Sequence, residues 1–348
     1  MKQHYLLAIC IPTYNRPCVV DMVQEYLKIK DSRLCIRVYD NHSTDGTWEK
    51  LRAIQDNRLI LYRQPENRGF GINSIMSLRN AEADYVLFDI DKNYLDIDYI
   101  ARFIEILPHE KPNFGFITTQ SEYILNAPEI VVYKAGIDAI VNGGGYACRH
   151  PVGYFYRSDL FDSCVNEDFY DHYDPSFAFP FDIVSGELGG RYDATVINMP
   201  IGEDAGRFFA VPLALVKTLS YNEENFYFGK RMTLLTHKYF MESIIAQQLP
   251  ARDKQWLLDS FADKLQYNVS VRLHSMYQDA DLCKRYSFRI KKIGFIEMFG
   301  NVFEAIRWHK SIIEPTSFSY KMSIHIKSIL KTLKRIIKCK MQDIFHKD

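Results

Sequence analysis

The chain has 348 residues, of which 47% are hydrophobic and 14% aromatic, enough apolar material for a large core and a composition that excludes a disordered polypeptide. Its formal net charge is zero, so no global field recruits nucleic acid and no nucleic-acid partner is expected. Seven scattered cysteines, odd in number and never spaced Cys-x-x-Cys, exclude a disulfide framework and suit a reducing compartment.

Residues 5–11 form an apolar run ended by Pro12 and read as a first strand rather than a secretory leader. Apolar spacing predicts a helix over 19–29, a second strand over 34–39, and a turn-rich stretch from Asp40 to Gly46. A helix over 47–57 follows, with Thr44 or Asp45 available as its cap. A third strand is expected at 59–63, a helix at 71–81 and a fourth strand at 85–89. Strands separated by helices of this length imply parallel pairing with right-handed crossovers, hence an α/β fold.

Beyond residue 100, strand-like pieces at 114–118, 153–156 and 195–199 sit among long glycine- and aromatic-rich loops. Loops of that length in a compact domain usually carry function. After about residue 216 the pattern turns helical, with segments at 231–249, 253–278 and 295–308. The last segment, 319–345, carries an apolar stripe interrupted by lysines. Residues 317–348 hold eight Lys/Arg against two Asp, so the overall neutrality cancels a basic tail against an acidic body. Such a helix can lie on an anionic membrane surface, or it can pack its stripe on the body with its lysines solvated. No window reaches the roughly 18 apolar residues of a spanning helix. A cytoplasmic protein, peripheral to the inner face of the cell membrane, is expected.

Three stretches carry chemistry, and each falls at the carboxyl end of an expected strand, where open parallel sheets bind ligands. Pro12-Thr13-Tyr14-Asn15-Arg16 offers a hydroxyl, a ring and backbone groups, although a plain turn with Asn15 as helix cap would also account for it. Asp40 ends the second strand, where an acidic residue can accept from a nucleoside; Ser43, Thr44, Asp45 and Gly46 read equally well as turn formers. Phe88-Asp89-Ile90-Asp91 ends the fourth strand, and alternation puts both carboxylates on one side, able to share a hard cation.

This order, strand–PTYNR, strand–DNHSTDGT, Asn67-Arg68-Gly69-Phe70-Gly71-Ile72-Asn73, then Asp-x-Asp, resembles the family 2 glycosyltransferases of the GT-A fold. The resemblance covers about residues 5–100 closely and extends to about 215. It implies a Rossmann-like, mixed but mostly parallel sheet flanked by helices, and an inverting, non-processive transfer; no Gln-x-x-Arg-Trp motif of processive synthases is present. Nucleotide-sugar binding is implied for Pro12, Thr13, Tyr14, Asn15, Arg16, Asp40, Asn67, Gly69, Asn73, Asp89 and Ile90. Asp91 with Asp89 would hold Mn2+ or Mg2+; the family often has a further acid where this chain has Lys92. His150, Gly153 and Tyr154 would border the acceptor.

An inverting transfer is one displacement and needs one carboxylate to take the acceptor proton. The resemblance assigns Asp182, matching the second acid of the family's Glu-Asp pair, where this chain has Phe181-Asp182. Glu187, Asp174 and Glu203–Asp204 are the rivals. The expected organisation is a GT-A domain over 1–215, with a nucleotide-binding half (1–100) and an acceptor-binding half (101–215). A helical extension (216–316) and a basic amphipathic helix (317–348) follow. The expected partners are a nucleoside-diphosphate sugar (a UDP-sugar by family frequency), a saccharide or lipid-linked saccharide acceptor, and an anionic membrane. A nucleotidyltransferase would ordinarily need a glycine-rich phosphate loop that Pro12–Arg16 lacks; a catalytically silent membrane module is the other alternative.

Overall fold

The computed structural model describes residues 4–91, 93–118, 127–143, 152–165, 169, 180–198, 209–210, 244–254 and 257. Two compact units divide the chain, Met1–Leu219 with Leu235–Gln248, and the remainder. Nearly every described residue belongs to the first. The basic segment 317–348 and most of the helical extension lie outside the described residues.

The first unit is built on β1 (Tyr5–Thr13), β2 (Leu34–Asp40), β3 (Leu59–Arg63) and β4 (Ala83–Phe88), all parallel, with β1 central between β2 and β4. In β1, every residue but Leu6 is buried, as a strand covered on both faces requires. The crossovers are α1 (Val19–Tyr26), α2 (Thr47–Arg52) and α3 (Phe70–Leu78). Val19, Met22, Val23 and Tyr26 recur at helical spacing and form the buried face of α1.

The structure corrects several boundaries. Helix α2 ends at Arg52, short of the expected 57. Its first residue follows Gly46 in a left-handed conformation, so neither Thr44 nor Asp45 is the cap residue. Asp45 still accepts from the Thr47 backbone N–H at 3.0 Å. Helix α4 (Ile97–Glu110), after the two-residue β5 (Asn93–Tyr94), is absent from the sequence reading. Its signal is present: Asp96 caps the Asp98 and Tyr99 amides, and Tyr99, Ile100, Phe103, Ile104 and Leu107 form one buried face.

The sheet continues through β6 (Phe114–Ile117), β7 (Ile130–Tyr133), β8 (Tyr154–Arg157) and β9 (Ala194–Ile197) in the order β3-β2-β1-β4-β8-β6-β9-β7. Strand β8 runs antiparallel to both β4 and β6, so the sheet is mixed and mostly parallel. Around it lie α5 (Ile137–Asn142), α6 (Ser158–Cys164), α7 (Pro180–Gly189) and α8 (Ile244–Gln248); β10 (Phe209–Ala210) pairs with β5.

Reversal at β8 places the start of that strand beside the end of β4. Gly153 makes the junction: its N–H donates to the Phe88 carbonyl at 2.9 Å, and its carbonyl accepts from Ile117 N–H at 3.0 Å. Its φ of +87° is a glycine conformation, and a Cβ there would stand 3.0 Å from the Ile117 carbonyl oxygen.

Candidate active site

Three strand ends and one helix start converge at the carboxyl edge of the parallel sheet. Thr13, the last residue of β1, pairs in register with Asp40, the last of β2. The Thr13 hydroxyl donates to Asp91 Oδ2 at 3.0 Å, joining the β1 end to the turn after β4. Arg16, in the β1–α1 loop, brings Nη1 to 3.5 Å from Asp91 Oδ1. That Nη1 is buried and, beyond this ion pair, makes no hydrogen bond, leaving donor capacity of the kind an anionic ligand satisfies.

The β1–α1 and β2–α2 loops are stitched together. Asn15, at φ +49°, donates its backbone N–H to Ser43 Oγ and accepts from Thr44 N–H, each at 2.8 Å. The N-cap of α1 is Cys18, so Asn15 is not the helix cap. Asp40 is sealed from solvent. Its two oxygens accept from Ser43 N–H at 3.2 and 3.1 Å, and Arg63 Nε lies 3.3 Å away. Tyr14 is 40% exposed beside these loops, while Pro12 is buried in β1.

Asn67, Gly69 and Asn73 form the next layer. Asn41 donates to Asn67 Oδ1 at 2.7 Å and to the Gly69 carbonyl at 3.3 Å, and Asn67 accepts from Gly69 N–H at 2.9 Å. Asn73 donates to the Tyr39 carbonyl at 2.9 Å. These bonds shape the β3–α3 loop against the end of β2.

The two acids of Asp-x-Asp are held differently. Asp89 is fully buried. Its carboxylate accepts from the Tyr26 hydroxyl on α1 and from Ile90 N–H at 2.8 Å. Burial pushes the Asp89 carboxyl up to about 8, with the Tyr26 and Ile90 hydrogen bonds pulling the other way. Asp91 instead faces Thr13 and Arg16, and its carbonyl accepts from the Cys18 thiol at 3.5 Å.

Among the described residues no three His, Cys, Asp or Glu side chains cluster as a self-sufficient metal site. A single carboxylate, with the Arg16 guanidinium placed to meet a diphosphate rather than the ion, nevertheless fits a hard cation bound chiefly through diphosphate oxygens and water. Asp91 is the residue that would hold it.

Asp182 opens α7, where it is 4% exposed, and the Tyr154 hydroxyl donates to its Oδ1 at 3.4 Å. The neighbouring Phe181 ring packs on Phe88 at 4.3 Å and stacks on Tyr154 at 6.0 Å. These rings pin the helix start to the β4 end from which Asp89 and Asp91 project. Tyr154 has no exposed surface, so its visible task is to hold Asp182, and Gly153 is the backbone junction described above. Glu187 lies later on α7; His150, Lys92, Asp174, Glu203 and Asp204 lie outside the described residues. Sequence reasoning missed Tyr26 and Cys18, whose contacts with the acidic turn span 63 and 73 positions and leave no local signal.

A Rossmann-like, mixed and mostly parallel sheet flanked by helices, with an acidic turn after β4, gives the chain the GT-A fold. Residues 8–111 match the model of the family "Glycosyl transferase family 2". No curated protein matches the chain. Among solved structures it is similar to S. aureus TarS (residues 1–349), with 15% identity, 86% of this chain and 80% of that chain covered, and a TM-score of 0.52. It is also similar to the mannosyltransferase PcManGT from Pyrobaculum calidifontis in complex with GDP-Man and Mn2+. There the identity is 13%, coverage 94% of this chain and 88% of that one, and the TM-score 0.51.

Proposed function

We propose that the chain is an inverting, non-processive, metal-dependent hexosyltransferase. It moves a sugar from a nucleoside-diphosphate sugar, UDP-linked by preference, to a hydroxyl of a saccharide or lipid-linked saccharide in bacterial surface polysaccharide assembly. The observation that carries this reading is the placement of Asp91 between the Thr13 hydroxyl and the Arg16 guanidinium, with Asp182 opening a helix at the same sheet edge. The GDP-Man and Mn2+ carried by PcManGT support a nucleotide-sugar donor and a divalent ion.

Asp91 would hold Mn2+ or Mg2+, which when bound would neutralise the charge that builds on the departing nucleoside diphosphate. The chain's own residues do the rest. Arg16 turns its open Nη1 to a diphosphate oxygen, and the exposed Tyr14 ring offers a face to the base. Asp40 fixes the 41–43 backbone that, with Pro12 and Asn15, walls the nucleoside; Asn67, Gly69, Asn73 and Ile90 support that wall. Asp182, oriented by Tyr154, takes the acceptor proton as the hydroxyl oxygen bonds to the anomeric carbon. The bond from that carbon to the diphosphate breaks with its electron pair leaving on oxygen. One displacement inverts the centre.

The lipid-linked acceptor and the location at the inner membrane face rest on the basic segment 317–348. Its lysines would each contribute roughly 1 kcal/mol near an anionic surface. Among the described residues no helix is long and apolar enough to cross a membrane. The test is transfer from UDP-, GDP- and dTDP-sugars, with Mn2+, to lipid-linked saccharides. Product formation with inverted anomeric configuration supports the reading; retained configuration, or turnover that survives Asp182→Asn, contradicts it.

A further inference from the structure

We infer that Tyr26 is a positioning residue for the metal site, holding both ends of the turn that carries Asp91, and that Asp89 is its grip rather than a second metal ligand. The inference rests on the proposed role of Asp91.

Tyr26 is the last residue of α1 and is fully buried. Its hydroxyl donates to Asp89 Oδ2 and accepts from Leu95 N–H at 2.7 Å. One oxygen atom thereby ties Asp89, just after β4, to Leu95, just after β5. The same stretch of chain holds the turn at three further points. Asp89 N–H donates to the Cys10 carbonyl at 3.0 Å, the Cys18 thiol donates to the Asp91 carbonyl, and the Thr13 hydroxyl donates to the Asp91 carboxylate. Residues 10–26 therefore act as a template on which the turn is laid.

The two acids divide the work accordingly. Asp89 faces α1, with its carboxylate on a hydroxyl and an amide and no exposed surface through which water or a diphosphate could complete a cation's shell. Asp91 faces Thr13 and Arg16. A carboxylate ligand works when its orientation is preset, and partners behind a ligand commonly tune affinity by about ten- to a hundredfold.

The experiment uses the full-length chain with UDP, GDP, dTDP or CDP, whichever stabilises the wild type with Mn2+, and follows stabilisation as Mn2+ is titrated. Tyr26→Phe is expected to raise the Mn2+ midpoint about tenfold and to deprotect the Leu95 amide in hydrogen exchange, with the stabilisation reached at saturating Mn2+ unchanged. Asp89→Asn keeps an acceptor for Tyr26 and should shift the midpoint less than Tyr26→Phe, whereas Asp91→Asn should abolish metal dependence. An unchanged midpoint in Tyr26→Phe beside a lost one in Asp91→Asn overturns the inference alone. Loss in Asp89→Asn equal to that in Asp91→Asn also overturns it, by making Asp89 a ligand. Intact metal dependence in Asp91→Asn sinks the donor-site reading and this inference with it. Should Tyr26→Phe fold poorly, the Asp89→Asn and Asp91→Asn pair still decides whether Asp89 is grip or ligand.

Discussion

The hydroxyl of Thr13 donates to Asp91 Oδ2 at 3.0 Å, joining the end of the first strand to the turn after the fourth across 78 positions of sequence. A strand-end threonine and an acid that share no local pattern become neighbours because β1 and β4 are parallel and adjacent.

Thr13→Val keeps the shape and the β-branched strand preference but removes this donor. A hydrogen bond to a charged group contributes roughly 1.5–3 kcal/mol. The expected result is a lower melting temperature of the ligand-free chain together with at least about a tenfold loss of Mn2+-dependent nucleotide affinity, read by calorimetric titration. Unchanged affinity would remove Thr13 from the site.

Asp182→Asn tests the base. Removing a general base typically costs about 10²- to 10⁴-fold. Asp182 touches Tyr154 and lies on α7, so donor binding should persist while turnover falls by that amount. The check is kcat beside the nucleotide Kd. If Glu187→Gln causes the loss instead, the proton acceptor lies further along α7.

The legible part of this molecule is what strand ends and turns encode. Thr13, Asp40 and Asp91 stand at adjoining ends because apolar runs alternating with helices dictate parallel neighbours, and polar residues that close such runs meet at one edge. Helix α4 was legible too, through the Asp96 cap and its apolar period, but went unread. Strand β7 was not: four residues, Ile130–Tyr133, carry no alternation that separates a strand from a loop. The antiparallel β8 depends on Gly153 turning with positive φ against the Ile117 carbonyl, a tertiary circumstance. The grip of Tyr26 on Asp89 and the Asn15–Ser43 stitch are likewise long-range, so spacing alone could not separate Asp89 from Asp91.

Gly153→Ala should destabilise the fold. The residue has φ +87° and a carbonyl 3.0 Å from where a Cβ would sit, so strain and contact add to roughly 1–3 kcal/mol. Urea unfolding of the wild type and variant measures it. Equal midpoints would show that the β4–β8–β6 junction relaxes without cost.

Acid stability should depend on Asp56. Arg58 donates Nε and Nη2 to its two oxygens at 3.1 and 3.0 Å and also reaches the Leu27 carbonyl at 2.9 Å, binding the start of β3 to the end of α1. The hydrogen bond from Arg58 holds the Asp56 carboxyl below its ordinary value of 3.8. A depressed carboxyl contributes stability above its unfolded-state value and loses it as pH falls through the folded one. Wild type should therefore lose stability below about pH 4, and Asp56→Asn should flatten that loss. Unfolding at pH 7 and pH 3 compares the two. Parallel pH profiles would contradict the pairing.

The central claim, a metal-assisted nucleoside-diphosphate site built on Asp91, is tested most directly by thermal shift. The full chain is screened with UDP, GDP, dTDP and CDP, each with Mn2+ or EDTA, beside Asp91→Asn. At 100 times its dissociation constant a ligand stabilises the native state by about 2.7 kcal/mol. The account predicts that one nucleotide, UDP by preference, raises the melting temperature only with Mn2+, and that Asp91→Asn abolishes the rise. No response to any of the four, or a response that Asp91→Asn leaves intact, would contradict it.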